Sequence, residues 1–589
     1  LGLVQMKLGA LKSSEESKMK QSLKALKGFR AFAEEKMKEW NVPGAAVAVI
    51  KEDEIIMAEG FGFRDKERKL KVNPETVFAI GSASKAFTTA AMAVLADEGK
   101  MEWDKPVREY LPEFKMHDPV ATERMTPRDL ACHRSGLPRH EMMWYNSSFS
   151  REELFRRIRY LEPNQDFRSK WQYQNLMYMT AGYLAGRIAG TTWEDLVHER
   201  LFKPLHMTSS SFSVEDMQKL SDFAFPYQEN NGTVEKIPFR NIDTIGPAGS
   251  INSNAVDMAN WLLLQLGSEK FNGVLSDGSL HELHTPCISC DSIIKAKELP
   301  VCSYGLGWFV EPYRGRHMIH HGGNIDGFSS LVAFMPYEKI GIVILTNMNG
   351  SFLPNVLAYN IFDRLLGLEE IDWSGRLKGE AEKIMKAALG VDRTADLTKI
   401  EGTNPSHALK DYTGVYEHPG YGEIKIELKD GVLQALFNSF VMPLKHYHYN
   451  IFEMKMPLTE MAMLASFDTD IHGHISRLSI PFEMAEGARE IEFVRKPDQQ
   501  LYDPEFLASL TGKYALEDGT DVVVSLRNNR TLWVSLPGQP DYELEPYREL
   551  TFQIKNLPGF SVRFEAGDSG QVTGLRFIQP NGEFPAVRK

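Results

Sequence analysis

Ser82 and Lys85, in the run Ser82-Ala83-Ser84-Lys85, stand three residues apart and so share one face of a helix, with a hydroxyl beside an amine. That is the pairing of a nucleophile with a base able to take its proton. The same S-x-x-K spacing recurs at Ser17/Lys20 and at Ser292/Lys295, so context must choose among three candidates. Ser17 lies in a highly charged helical stretch and Ser292 in a Cys-containing segment that reads as an irregular insertion. Only Ser82 follows an apolar strand-like run, Thr76–Ile80, and a glycine. It also opens an Ala-rich helix whose N-terminal amides can stabilise a developing oxyanion.

Two further patterns carry chemistry. Tyr173-Gln174-Asn175 is the one Y-x-N among 20 tyrosines; a tyrosine there can shuttle a proton and the asparagine can hold a substrate carbonyl. His-x-Gly occurs three times, where chance gives about one. His418 falls in a C-terminal repeat, whereas His320-x-Gly322 and His321-x-Gly323 overlap in HMIHHGGNIDGF, a strand context.

These residues need elements to hold them. VPGAAVAVI and IIMAEGFGF, separated by the polar Lys51–Glu54, read as a β-hairpin, and GSASKAFTTAAMAVLADEG as a helix stopped by Gly99. Glu15–Trp40 has apolar residues at helical spacing and reads as one amphipathic helix. The middle, from about 120 to 290, is helical pattern and loop. YGLGWFV, HMIHHGG, FSSLVAFMP and KIGIVILTN then follow as successive antiparallel strands, and NVLAYNIFDRLLG closes the region as a helix. A sheet assembled from both ends of a domain around a helical insertion is an α+β arrangement. Beyond it the chain repeats itself: Leu409-x-x-Tyr412-Thr413-Gly414-x-Tyr416 recurs as Leu507-x-x-Leu510-Thr511-Gly512-x-Tyr514, and both copies end in Val-Arg-Lys. Two tandem all-β modules, small barrels or curled sheets, are expected. The division is 1–30 as an N-terminal helical extension, 31–370 as the chemical domain, 371–405 as a linker, and 406–500 and 501–589 as the β-modules.

Composition narrows the function classes. The 589 residues are 43% hydrophobic and 25% charged, ordinary for a folded protein, and the net charge of −12 disfavours nucleic-acid partners. The four cysteines, Cys132, Cys287, Cys290 and Cys302, are too few for a disulfide scaffold. Cys287, Cys290 and Cys302 make an incomplete zinc set, so no metal and no cofactor is expected. No run of 18 apolar residues is present to span a membrane as a helix. The opening LGLVQMKLGALKSS lacks the apolar core of a signal peptide, yet a chain that opens on Leu leaves an upstream leader open, and the compartment is unassigned.

Together, the three motifs in this order resemble the serine β-lactamase and penicillin-recognising superfamily, specifically its class C branch with DD-peptidases, D-aminopeptidases and family VIII esterases. The likeness covers roughly residues 30–370 and includes the flanking TPRDLACHRSGLP, GPAGSINSNAVDMANW and YGLGWFVEPYRG. It implies a class C β-lactamase-like antiparallel sheet flanked by helices with a helical subdomain. It further implies Ser82 as the acylated nucleophile, Lys85 and Tyr173 as the proton-transfer pair, and Asn175 at the substrate amide. Counting back from Gly327-Phe328 favours His321 as the third-motif residue, with Gly323 completing the triplet and the Asn324 N–H as an oxyanion donor beside that of Ser82; His320 is the rival. The family's β-lactamases carry lysine where this chain has histidine, which favours a peptidase or esterase over an efficient β-lactamase. Some D-aminopeptidases of the family carry two β-barrels behind the catalytic domain; such modules either cap the cleft or mediate self-association into a homo-oligomer.

The expected function is a serine hydrolase acting through a Ser82 acyl-enzyme on a small-molecule or peptide amide or ester. The alternative is a catalytically silent binding or assembly protein on the same fold. Which group accepts the Ser82 proton is open at this level. A Lys85 charge about 4 Å from the phenol would favour tyrosinate by roughly 4 kcal/mol at an effective dielectric of about 20, while burial would favour a neutral Lys85.

Overall fold

The computed structural model describes residues 19–230, 232–380, 398–455, 462–483, 485–567 and 570–589. Two compact units emerge. The first holds residues 1–392 with Pro419–Tyr421 and Phe482–Glu490; the second holds the remainder of 393–589.

The first unit is built on a nine-stranded antiparallel sheet. Its strands are β1 (Gly44–Lys51), β2 (Glu54–Asp65), β3 (Leu70–Lys71), β4 (Ile288–Cys290), β5 (Cys302–Tyr304), β6 (Phe309–Tyr313), β7 (Arg316–Ile325), β8 (Phe328–Met335) and β9 (Ile340–Thr346). In space they run β3-β2-β1-β9-β8-β7-β6-β5-β4, so the N-terminal hairpin pairs with the last strand, Ala45 opposite Thr346, and the helical region is inserted between. β1, β8 and β9 are buried along nearly their whole length, because both sheet faces are covered. On one face Ala45, Val47, Val49, Ile342 and Ile344 pack with α1 (Phe29–Glu39) and α5 (Leu353–Leu366). On the other lies α4 (Ala255–Gln265), whose Trp261 stacks on Phe87 of α2 (Ser84–Asp97) with ring centroids 3.9 Å apart. α3 (Asn175–Ala189) packs beside α2. Burial of a single large side chain of this kind is worth about 1.5–3 kcal/mol.

Three local expectations change. The N-terminal stretch is not one helix: a turn at Leu26–Gly28 precedes α1, and residues before 19 lie outside the described ones. The segment around Ser292 is not wholly irregular, since it is flanked by β4 and β5, which finish the sheet edge. Strands of three residues carry too short an alternation to register in sequence. YGLGWFV, likewise, is divided between β5 and β6 by a turn.

The second unit contains two closed antiparallel barrels of eight strands each, running from Gly414–His418 to Ile491–Arg495 and from Gly512–Leu516 to Gly582–Arg588. The sequence repeat is the clasp that closes each one. In the first, the Tyr416 hydroxyl donates to Tyr412 O at 2.8 Å while Arg495 donates to Thr413 O at 2.6 Å and Asp411 O at 2.8 Å. In the second, Tyr514 donates to Leu510 O at 2.7 Å and Arg588 to Thr511 O at 2.7 Å. First and last strands meet directly above, Tyr416 opposite Arg495 and Tyr514 opposite Arg588. No helix among the described residues is long and apolar enough to cross a membrane.

Arg495, at the end of the barrel's last strand, holds two carbonyls that precede its first, with charge-assisted bonds worth more than neutral ones. Arg495→Leu is expected to destabilise that barrel by about 2–3 kcal/mol, read as a lowered urea midpoint with an unchanged slope.

Candidate active site

Ser82 sits in a single 3-10 turn, Gly81–Ala83, that runs directly into α2. The turn is pinned by the Ser84 hydroxyl, which donates to Gly81 O at 2.7 Å and accepts from the Ile251 N–H at 3.1 Å. Ser82 itself is half-buried and faces a cavity of about 660 Å³ lined by Arg139, Trp171, Tyr173, Phe309, His321 and Asn324 among others.

One turn on, Lys85 is fully buried. Its Nζ lies 3.0 Å from Ser82 Oγ, 2.8 Å from Asn175 Oδ1 and 2.7 Å from the carbonyl of Ala248. Asn175 comes from the first turn of α3, capped by Gln174, whose side chain accepts from the Leu176 N–H. Ala248 comes from a short helix, Gly246–Gly249, that α3 can approach only because residue 182 is glycine: a Cβ there would lie 2.2 Å from Pro247 Cγ. Burial, with the Arg139 charge adding to it, pushes the Lys85 amine well below its ordinary value, against a smaller upward pull from Glu141.

Tyr173 lines the same cavity as Ser82, and burial raises its phenol above its ordinary value while the neighbouring Ser82 side chain pulls it down by less. Its loop is set by His133. The His133 carbonyl accepts from the Gln172 N–H at 2.8 Å, its Nδ1 accepts from the Gln174 N–H at 3.0 Å, and its ring packs 4.4 Å from that of Tyr173. The Lys85 Nζ is 4.7 Å from the Tyr173 ring centre. Burial therefore outweighs the Coulomb attraction that would have favoured a tyrosinate–ammonium pair, and both groups are shifted toward their neutral forms.

β7 closes the site. His320 and His321 leave the strand on opposite faces. His320 stacks on Phe309 and sets Nε2 3.2 Å from Glu311 Oε2. The ring of His321 lies 6.3 Å from that of Tyr173. Nδ1 of His321 lies 2.6 Å from the Gly322 carbonyl, which can only accept, so that nitrogen carries the proton and Nε2 accepts from the Tyr304 hydroxyl at 3.0 Å. Burial and the Lys85 charge lower its pKa to about 3, so the ring is neutral at ordinary pH. At Gly323 an added Cβ would lie 1.8 Å from Ile80 O and 2.5 Å from Ser330 Oγ. That contact presses β7 against the Gly81–Ala83 turn, leaving the Asn324 nitrogen 2.8 Å from where a Cβ on Gly81 would stand.

Of the rival serines, Ser292 also lines this cavity but has no buried lysine beside it. Ser292 donates to Ile294 O at 2.9 Å beside an exposed Lys295, and Ser17 lies outside the described residues. His418, the third His-x-Gly, is on the first strand of the first barrel. Among the described residues no group of three or more His, Cys, Asp or Glu stands in position to hold a metal ion.

Several functional neighbours were not foreseen. Glu141 accepts from Asn175 Nδ2 at 3.1 Å and pairs with Arg139 at 2.9 Å, and the Arg139 guanidinium lies 5.0 Å over the Tyr173 ring. With His321 neutral, Arg139 is a cation that faces the cavity. Both residues lie within four positions of the signature TPRDLACHRSGLP, and reading that segment past Pro138 would have reached them. Behind Glu141, the His140 Nδ1 is 2.7 Å from the Tyr421 hydroxyl, which donates to Glu483 at 3.2 Å; burial holds the Glu483 carboxyl up at about 7.

The chain belongs to the Beta-lactamase family, whose model matches residues 29–366. Residues 398–495, the first barrel, match a domain of unknown function, DUF3471. Among curated proteins the chain is 28% identical over 426 residues to unguisins hydrolase ungD' of Aspergillus campestris, covering 68% of this chain and 77% of that one. It is 26% identical over 331 residues to protein flp of Staphylococcus aureus, covering 55% and 64%. Among solved structures, the octameric penicillin-binding protein homologue of Pyrococcus abyssi matches with a TM-score of 0.52 at 22% identity, over 80% of this chain and all of that one. The fold is thus that of a β-lactamase-like domain followed by β-barrels.

Two outcomes check the geometry. Gly323→Ala must push β7 away from Ile80, and a shift of even an ångström beside Ser82 is expected to lower kcat/KM about 100-fold or more while circular dichroism is unchanged. Glu483, with a folded-state pKa of about 7 against an ordinary 4.5, keeps its proton longer in the folded state, so folding stability falls as pH rises from about 4.5 to 7 and then levels. Glu483→Gln should remove that fall, giving a gain on the order of 2–3 kcal/mol at pH 8 and little at pH 4, measured by denaturant titration at each pH.

Proposed function

We propose that the protein is a serine hydrolase that cleaves an amide or ester through an acyl-enzyme on Ser82. The observation that carries this reading is the desolvated Lys85, whose Nζ is 3.0 Å from Ser82 Oγ while its two other contacts, Asn175 Oδ1 and Ala248 O, can only accept hydrogen bonds. A neutral amine has two N–H groups and one lone pair. The two acceptors take the N–H groups, and the lone pair is left aimed at the Ser82 hydroxyl.

In the proposed cycle Lys85 takes the Ser82 proton as Oγ bonds to the substrate carbonyl carbon. The oxyanion accepts from the N–H groups of Ser82 and Asn324, donors fixed before reaction. The Tyr173 hydroxyl, held protonated by burial, gives its proton to the leaving nitrogen or oxygen and recovers one from Lys85. Water then attacks the acyl carbon by the reverse of these transfers, releasing the acid and restoring Ser82. Asn175 spends one amide hydrogen on Glu141, and the second would meet the substrate carbonyl. His321 orients the β7 wall as a neutral ring, without the charge a lysine would supply. That favours peptidase or esterase chemistry over efficient β-lactam turnover, in keeping with a relative named as a hydrolase.

Ser82→Ala should abolish turnover and leave no adduct with a fluorophosphonate probe in intact-protein mass spectrometry. Lys85→Ala and Tyr173→Phe should each slow single-turnover acylation by about 10²–10⁴-fold, with the double variant little worse than either. Because protonated Lys85 cannot accept a proton, acylation should rise with pH through the depressed Lys85 pKa and fall below it. Tyr173→Phe should keep that acid limb. An adduct on another residue, or additive free energies in the double variant, would contradict the assignment.

A further inference from the structure

None of the four cysteines enters the chemistry above, yet all four gather in one cluster at the β4–β5 end of the sheet. All are free thiols. Cys132 and Cys287 share a small core cluster, the Cys287 sulfur lying 4.0 Å from Arg128 and 3.6 Å from Thr285 O. Cys290 and Cys302 are a different kind of pair. In the register of β4 against β5 they stand directly opposite each other. Opposed residues of antiparallel strands have Cα atoms about 4.5–5.5 Å apart, within the roughly 4.4–6.8 Å that a disulfide spans. Their side chains leave the sheet on the same face, and the two sulfurs are 3.1 Å apart. Closing a bond there needs no change of register.

The segment between them, Asp291–Val301, supplies Ser292, Ile293 and Ile294 to the wall of the Ser82 cavity, and Cys302 lines it as well. The geometry points to Cys290 and Cys302 as a reversible dithiol–disulfide site whose oxidation ties that loop at its base and narrows the cavity beside it. The second half of this inference rests on the cavity being the acyl site.

The oxidant is a small-molecule disulfide such as oxidised glutathione. Cys290 is half-buried and reacts first, since its neighbouring sulfur and burial both push the Cys302 thiol up. The Cys290 thiolate attacks one sulfur of the small disulfide, breaking its S–S bond and releasing one glutathione thiol. Cys302 then attacks the Cys290 sulfur and displaces the second. Two protein thiols become one disulfide and one small disulfide becomes two thiols, so two electrons and two protons leave the protein.

The test treats the native full-length protein with oxidised glutathione, alkylates the remaining thiols and maps peptides without reduction. The expected result is a Cys290–Cys302 cross-link with Cys132 and Cys287 alkylated, reversed by dithiothreitol. Oxidation should also lower kcat/KM for a bulky acyl ester by about threefold or more relative to a short one. Cys290→Ser should show neither effect. A Cys132–Cys287 link, mixed glutathione adducts alone, or four alkylated cysteines would overturn the site, and a cross-link with an unchanged substrate ratio would overturn its effect on the cavity. Fluorophosphonate labelling of Ser82 in parallel reports on the acyl site separately, since the cross-link does not need it.

Discussion

Everything at the site follows from placing one lysine amine where water cannot reach it. An ammonium taken out of water without a counter-charge is costly, and the nearest carboxylate, Glu141, reaches Lys85 only through Asn175. Lys85 instead meets two uncharged acceptors and a hydroxyl. Those contacts come from three different pieces of chain, the start of α2, the start of α3 and the Gly246–Gly249 turn. Each must be held to a few tenths of an ångström, which explains why so much of the polar bonding around them is buried: Ser84 on Gly81 and Ile251, Thr88 on Pro247, Gln174 on Pro138.

The same economy governs β7. A strand carrying any side chain at position 323 could not run against Ile80, and the backbone of Asn324 would lie farther from the Gly81–Ala83 turn. The strand also gives two adjacent histidines different hydrogen-bond partners: His320 meets Glu311 and His321 meets Tyr304, with Phe309 packed against both rings. Burial then makes His321 a neutral structural ring, and the positive charge near the cavity comes from Arg139 on a different loop.

Much of this was legible in sequence, for identifiable reasons. Ser82 and Lys85 are near in sequence, and helical spacing alone puts them together. The long central strands carry unbroken apolar runs, and the barrel repeat carries the residues that close each barrel, so both stood out. What was hidden depends on contacts across long separations: Ala248 on Lys85, Glu141 on Asn175, and Tyr304 on His321. The burial that shifts both Lys85 and Tyr173 toward their neutral forms was hidden too, because no spacing reveals it. The edge strands β4 and β5 were missed because three residues carry no period, and with them the opposed Cys290 and Cys302.

The central claim is that desolvation leaves Lys85 neutral and so able to take the Ser82 proton. Its most direct test is the titration of Lys85 itself, followed by the NMR shift of 13Cε-labelled lysine with the Lys85→Arg variant to assign the resonance. The account predicts a Lys85 midpoint displaced well below those of the exposed lysines. A Lys85 signal that stays in the ammonium position until the exposed lysines titrate would contradict it.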